Sequence, residues 1–525
     1  MKGASHESVI GCLDPGSYRV EAQAPGFQTS VRRGIELTVG REIEIEMLLR
    51  LGQVEQVTEV TAEAPLVETR SNTLSGLVDD RTIRELPLNG RSFDQLVALQ
   101  PGVLPNRAQN NRAVAGTAAE VYSVAGSRAH SNQFLLDGVE LVGSGSQSIL
   151  PGGALGKNMG VDAIQEFNVL TANYSAAYGK RNGGIVNMVT RPGTNQLRGS
   201  AFEFHRNDNL DARNFFDPTP QPPEFRRNQF GGSLGGPLRQ DKTFFFGNYE
   251  GLREALGETN IAIVPDDNAR QGFLPDPANP GQLRNVGVHP AVRPYLPAFF
   301  GPPNGRNFGD GTAEYHSSPT AVSRQDFYLI RGDHHFSEKD SLFARYNFQG
   351  AELQSPREDS IFQDTGESRQ QSLVLAANRA YPTTLNIARF GFARSSLFSV
   401  RSPITPIDSS LRFVPSAPTV GLLSFSGSVA TSGSQALTPT GIGNPGRSYA
   451  LNQFEFSDQV FHYFGRHSLQ FGGQFQRIQH NDATTDAETG QFSFTGLESF
   501  LLGQPAVFVG YAGDVHKSFR RIVLV

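Results

Sequence analysis

The sequence predicts a mainly β chain: a small N-terminal β module, a compact α/β segment, and an incomplete antiparallel β-barrel of the membrane-spanning kind. Three observations lead to this. From about Leu197 onward, apolar and polar residues alternate with a period of two, in long strands that come in pairs. Short turns alternate with long polar connections, at 208–227, 253–324 and 400–448, as expected for the two rims of a membrane barrel. No run of about 18 apolar residues is present to cross a bilayer as a helix. A barrel escapes that test because only every second residue of a strand faces lipid.

Composition narrows the function. A chain of 525 residues has room for several domains, and Gly 56 and Phe 38 are high while Trp is 0. The mean hydropathy of −0.33 is below that of a helical membrane protein. A net charge of −5 provides no basic field, which excludes a dedicated nucleic-acid binder. The single cysteine, Cys12, forms no internal disulfide and belongs to no metal cluster. Val9-Ile10-Gly11-Cys12 imitates a lipoprotein cleavage site, but no basic and apolar stretch precedes it.

In chain order, residues 13–50 read as three short strands. Tyr18, Val20 and Ala22 alternate, Pro25-Gly26 turns, Ile35, Leu37 and Val39 alternate again, and Ile43, Ile45 and Met47 continue opposite Glu42, Glu44 and Glu46. Gln53–Ala62, QVEQVTEVTA, mixes β-branched and polar residues in an extended pattern, and Pro65 blocks helix nearby. The plain reading of this segment is an interdomain strand.

Next, Phe93, Leu96, Val97 and Leu99 have helical spacing, with Ser92 as N-cap and Pro101-Gly102 as stop; Asn89-Gly90 before them is a turn. Residues 123–126 and 134–139 read as strands, with Asp137-Gly138 a tight turn. In 161–195, the spacing of Ile164, Phe167, Val169 and Leu170 predicts a helix. A Gly183-Gly184 turn and a buried strand from Ile185 to Val189 follow, stopped by Pro192-Gly193.

The strand pairs come last. Ser200–His205 alternates around Phe202 and Phe204. Asn228–Leu234 leads through a turn, GGPLRQDK, into Thr243–Glu250. Phe327–Phe336 and Leu342–Phe348 flank Ser337–Asp340, and the second places Leu342, Ala344, Tyr346 and Phe348 opposite Phe343, Arg345 and Asn347. Phe454–Tyr463 pairs with Leu469–Phe475, where Leu469, Phe471, Gly473 and Phe475 face one way and Gln470, Gly472, Gln474 and Gln476 the other. That is the apolar-out, polar-in pattern of a water-filled barrel. With Trp absent, Phe and Tyr would form its interfacial girdles.

The stretches LPLNGRSFDQLVALQPGV, FLLDGV and VDAIQEFNVLTANYSAAYGKRNGGIVNMVTRPGTN resemble the plug domain of TonB-dependent outer-membrane receptors, in the Oar-like branch. LDPGSYRVEAQAPGF resembles the later strands of the carboxypeptidase-regulatory-like domain that precedes the plug in that branch, an immunoglobulin-like β-sandwich of carbohydrate-binding-like fold. The resemblance implies a partial regulatory-like domain at 1–52, a TonB-box-like linker at 53–65, a plug at 66–195 and the N-terminal part of the barrel at 196–525. It marks Leu86, Pro87, Asn89, Gly90, Arg91, Asp137, Gly138, Gly183, Gly184 and Asn187 as plug motif residues. It also marks Glu55, Val57, Glu59, Val60, Thr61 and Ala62 as a TonB box, which would bind TonB by adding a strand. The implied partners are TonB with ExbB and ExbD, outer-membrane lipid, and an extracellular ligand: siderophore, oligosaccharide, peptide or protein. No cofactor is implied.

A plugged transporter barrel of about 22 strands needs more chain than residues 196–525 supply, so the chain is expected to run out before the barrel closes and to continue at both ends. An export signal is expected upstream. Two other readings stay open: an outer-membrane adhesion or structural protein, and a soluble carbohydrate-binding β protein. An enzyme is not expected, because no nucleophile with an ordered base is visible. Gly156-Lys157 lacks the rest of a phosphate loop. Asp333, His334 and His335 sit on a strand whose neighbours face opposite sides and cannot easily share a metal. His462 and His467 lack a carboxylate partner. Arg331-Gly332-Asp333 lies inside a strand, not on a display loop.

Overall fold

The computed structural model describes residues 15–41, 43, 45–51, 57–61, 72–86, 88–105, 122–128, 131–143, 160–213, 215, 217, 222–425, 436–464, 467–484, 488–510 and 516–524. They build a three-stranded sheet, a five-stranded mixed sheet and a ten-stranded antiparallel sheet, with smaller sheets in the long connections of the last.

The ten strands are Arg198–Asn207, Phe225–Arg239, Thr243–Gly257, Thr320–His335, Asp340–Pro356, Phe362–Ala380, Thr384–Pro403, Gly446–Phe464, His467–Thr484 and His516–Leu524, each bonded to the next in chain order. They form an open sheet, a partial barrel wall. Where Gly235–Lys242 reads as a turn, the strand instead runs on to Arg239 and only 240–242 turn. Gly235 and Gly236 extend the ladder opposite Phe246 and Phe245, and the register shifts only after Pro237, which has no N–H to donate.

The wall is inverted relative to a soluble sheet. Val322, Tyr328, Ile330, Leu342, Tyr346, Leu375, Phe456, Leu469 and Phe471 stand exposed on its outer face. Gln325, Arg331, Arg345, Asn347, Gln349, Ser372, Gln453, Glu455 and Gln476 are buried on the inner face. Along Thr320–His335 outward and inward positions alternate with the predicted period of two, the buried ones including Phe327 and Leu329. Phe336, Tyr381 and Phe464, all exposed, sit beside three successive short turns and mark one rim with aromatic rings.

At the opposite rim the long connections are folded, contrary to the polar loops expected. Ala262, Val264, Leu296, Phe299 and Phe300 from one connection pack with Leu411, Val420, Leu423 and Ile442 from a second and Phe494, Phe500 and Leu501 from a third. Thr438 Oγ1 accepts from the Ile263 N–H at 2.8 Å, and Arg284 pairs with Glu498 at 2.5 Å. Their apolar residues are too scattered in sequence to show a period, and the core becomes visible only when the three segments meet.

The five-stranded sheet lies against the inner face of the wall. Its order is Leu74–Val78, Ile164–Ala172, Ile185–Thr190, Gln133–Leu136 and Val139–Glu140, with the third and fourth parallel. Ile164–Ala172 is thus a strand, not the predicted helix. It is paired on both edges and buried over most of its length, so no alternation shows in its sequence and the spacing imitates a helix. Phe93–Leu99 is helical as expected but of 3₁₀ type, and Ser92 bonds the Asp94 carboxylate in place of capping the backbone. The core joins Phe93, Leu96, Val97, Phe134, Phe167, Val169, Val186 and Met188.

At the N-terminus, Gly16–Ala22 and Thr29–Leu37 pair antiparallel as predicted. The third strand is Val57–Thr61, parallel to Thr29–Arg33, and the described residues among 43–47 lie outside any strand.

Replacing outward Ile330, 67% exposed, by Arg should cost assembly about 2–4 kcal/mol near mid-membrane, whereas Gln470→Arg on the inward phase costs less than half of that. Heat-modifiability of the folded protein on gels after refolding into vesicles measures this, and equal loss in both variants means that the faces are reversed.

Candidate functional site

The chemistry of this molecule concentrates where the five-stranded domain meets the wall. Three clusters of buried charge join them.

The first is built on the Asp137-Gly138 turn. Asp137 (φ 52°) and Gly138 (φ 80°) both adopt the left-handed region, as a two-residue hairpin turn requires. This aims the Asp137 carboxylate at the wall. It accepts from the Thr190 N–H at 2.9 Å and from Arg345 Nε at 2.9 Å. The Arg345 side chain is 0% exposed and also donates to the Leu136 carbonyl at 3.2 Å and to Ser372 Oγ at 2.6 Å. Next to it Arg331 pairs with Asp333 at 2.7 Å and donates to the Thr190 carbonyl at 2.7 Å. Taking such charges out of water costs several kcal/mol each, and only this dense bonding repays it.

The second uses the Asn89-Gly90-Arg91 turn, in which Gly90 (φ 69°) and Arg91 (φ 50°) are again left-handed. Arg91 reaches Asp162 at 3.2 Å and wall residue Glu250 at 3.3 Å, with its guanidinium 3.9 Å from the Phe202 ring centroid. Glu250 accepts the Gly160 N–H at 3.0 Å and Gln229 Nε2 at 2.7 Å, and Gln229 also donates to the Gly90 carbonyl at 3.1 Å.

In the third, Glu140 pairs with Lys180 and, at 3.1 Å, with Arg181, while Gln453 of the wall approaches it at 3.4 Å. Burial pushes the Glu140 carboxyl up, but the Lys180 and Arg181 charges outweigh it and hold the group below the ordinary carboxylate range.

Among the predicted residues, Gly90, Arg91, Asp137 and Gly138 thus come together at the domain–wall boundary. Gly183 and Gly184 lie behind it: a Cβ on Gly183 would strike the Ser131 carbonyl, and one on Gly184 the Val124 side chain. Asn187 is half-buried in mid-strand between Leu135 and Asn168. Leu86 ends the helix Asp80–Glu85, its N–H on the Thr82 carbonyl at 3.3 Å, away from the clusters. Asn89 lies in the turn. Val57, Glu59, Val60 and Thr61 lie in the third strand of the N-terminal sheet. Pro87, Glu55 and Ala62 lie outside the described residues. Sequence reading passed over the wall partners Glu250, Gln229, Arg331 and Gln453. Their signal was a long polar or charged residue on the inward phase of a strand. Among the described residues no group of His, Cys, Asp and Glu is placed to hold a metal.

Residues 189–522 match the family model described as an outer membrane beta barrel domain. The chain belongs to that family. Its place is the Gram-negative outer membrane, and the exposed apolar face of the ten strands is the face it turns to lipid. The TonB-dependent transporter Oar of Myxococcus xanthus is 26% identical over 251 residues, 45% of this chain and 22% of that protein. The outer membrane transporter YddB from Escherichia coli superposes with a TM-score of 0.50 at 11% identity, over 86% of this chain and 53% of that one. The chain therefore spans well under two thirds of either relative. At 11% identity the likeness to YddB is one of fold.

Removing one charge strands its partner inside the barrel. Asp137→Ala is expected to destabilise the inner domain by about 3–5 kcal/mol, and Asp137→Leu with Arg345→Met to recover most of the loss. Chemical denaturation followed by hydrogen exchange in Ile185–Thr190 reads both. Gly184→Ala is expected to cost about 1–3 kcal/mol by overpacking against Val124, measured in the same way.

Proposed function

We propose that this chain is part of a TonB-dependent receptor that takes up an extracellular ligand through a plugged barrel. Residues 66–195 act as the plug and 196–525 as the N-terminal part of the barrel. Residues 53–65 act as the coupling segment, and 1–52 as a partial regulatory-like domain. The observation that carries this reading is the set of buried ion pairs between the inner domain and the wall. At roughly 3–5 kcal/mol for each pair left half-broken, the domain does not leave the lumen by thermal motion alone. Opening requires work from outside. A periplasmic partner pulling on the N-terminal side of the domain supplies it, and TonB, energised by ExbB and ExbD, is the partner that fits. The Oar relative, named as a TonB-dependent transporter, supports the same reading, in which transport and not catalysis is the activity. The ligand class spans siderophore, oligosaccharide, peptide and protein.

The folded cap over the long-connection rim favours a second reading, a surface adhesion or structural protein that uses the barrel as an anchor. The two part at the coupling segment. If strand addition at 55–62 binds TonB, Val57→Pro or Val60→Pro removes a backbone donor and should abolish site-directed crosslinking to TonB. Undiminished crosslinking rejects the coupling segment, and a cell-surface phenotype independent of TonB favours the anchor.

A further inference from the structure

The N-terminal sheet is fastened to the inner domain around the strand Ile164–Ala172, and a carboxylate is buried there. Gln165 Nε2 donates to the Pro15 carbonyl at 2.7 Å, Asn168 Nδ2 donates to the Val39 carbonyl at 3.1 Å, and between them the Val39 N–H donates to Glu166. Glu166 and Asn168 are 6% and 7% exposed, and Val39 is buried too. Gly40 (φ 72°) lets the chain turn away directly after Val39, and a side chain there would press on the Asn168 amide. The strand that carries Glu166 and Asn168 is the second of the inner sheet, bonded to Leu74–Val78 and Ile185–Thr190.

We infer that this contact is a proton-linked clamp: the N-terminal sheet docks on the strand Ile164–Ala172 when Glu166 carries a proton and loosens when it loses it. The groups facing Glu166 set the sign. Asp79 and Asp80 approach from the start of the helix Asp80–Glu85. Asp79 caps that helix through the Thr82 N–H, and Asp80 is already paired with Arg84 and Arg191. Arg191, on the inner domain, is spent on Asp80 and on the carbonyls of Asp162 and Ile164. The docked sheet offers the backbone N–H of Val39, and its nearest charged residues along the chain are Glu36 and Arg41.

Burial first, then the charges of Asp79 and Asp80, push the Glu166 carboxyl up to about 7, against the Val39 hydrogen bond. The docked state therefore binds the proton more tightly than a solvated carboxylate does. Docking is at full strength below the ordinary carboxylate value of 4.5, weakens as pH rises, and levels off above about 7. Asp79 and Asp80 stay beside Glu166 when the sheet leaves, so the docking constant should fall by at most about thirtyfold between pH 5.5 and pH 8.5.

Hydrogen exchange of segment 37–41 in the whole chain in detergent tests this, with the strand Thr384–Pro403 as the reference for intrinsic exchange. In the wild type, protection of the segment should drop across that range, by at most about thirtyfold. In Glu166→Gln, which cannot ionise, protection should be high and flat. Asn168→Ala should lower protection at every pH yet keep the slope. A flat wild-type profile, or an unchanged slope in Glu166→Gln, overturns the inference. Neither readout depends on TonB or on a transported ligand.

Discussion

The contact on which the rest depends joins a carboxylate on a two-residue turn to a guanidinium on the wall. Asp137 reaches Arg345 because the turn before Val139 is left-handed at both residues, and Arg345 tolerates burial because Asp137, Leu136, Ser372 and Asn347 satisfy its donors. Each half is untenable alone. A charged inner wall would otherwise need water, and a small mixed sheet with polar turns would otherwise face solvent. Put together, they make the wall a socket whose lining is specified by the domain inside it.

This reverses the usual logic of a core. The large sheet turns many of its apolar residues outward to lipid and buries others inward in small patches. Its continuity comes from the backbone ladder, in which each long strand is bonded to the next along the chain. The largest apolar cores are in the inner domain and the outer cap, and smaller ones join wall to domain where Phe246, Leu252, Phe327 and Leu329 meet Ala163 and where Leu397, Tyr449 and Leu451 meet Val142. Polar chemistry occupies the space between.

The barrel was legible because its period is two and survives along strands such as Thr320–His335. The motif glycines were legible for a related reason: Gly90 and Gly138 sit at positive φ and Gly184 at a close approach, and few other residues serve there. What stayed hidden depends on distance along the chain. The strand Ile164–Ala172 is buried on both faces, so its pattern carries no face to read. Residues 43–47 alternate as a strand does, yet Val57–Thr61 takes the edge that they would have paired with. Arg345 and Asp137 are 208 positions apart, and nothing local announces the pair.

The shared core of the cap bears on how such surfaces diversify. Phe299 stacks on Phe413 from another connection, Phe300 meets Phe500 from a third, and Thr440 Oγ1 donates to the Phe299 carbonyl at 2.8 Å. Three segments far apart in sequence are thereby one cooperative unit. Exchanging a single segment with that of a homologue breaks a core that the other two still expect. Recombination at this rim is expected to succeed when all three are transplanted together, so the rim changes in blocks and not loop by loop.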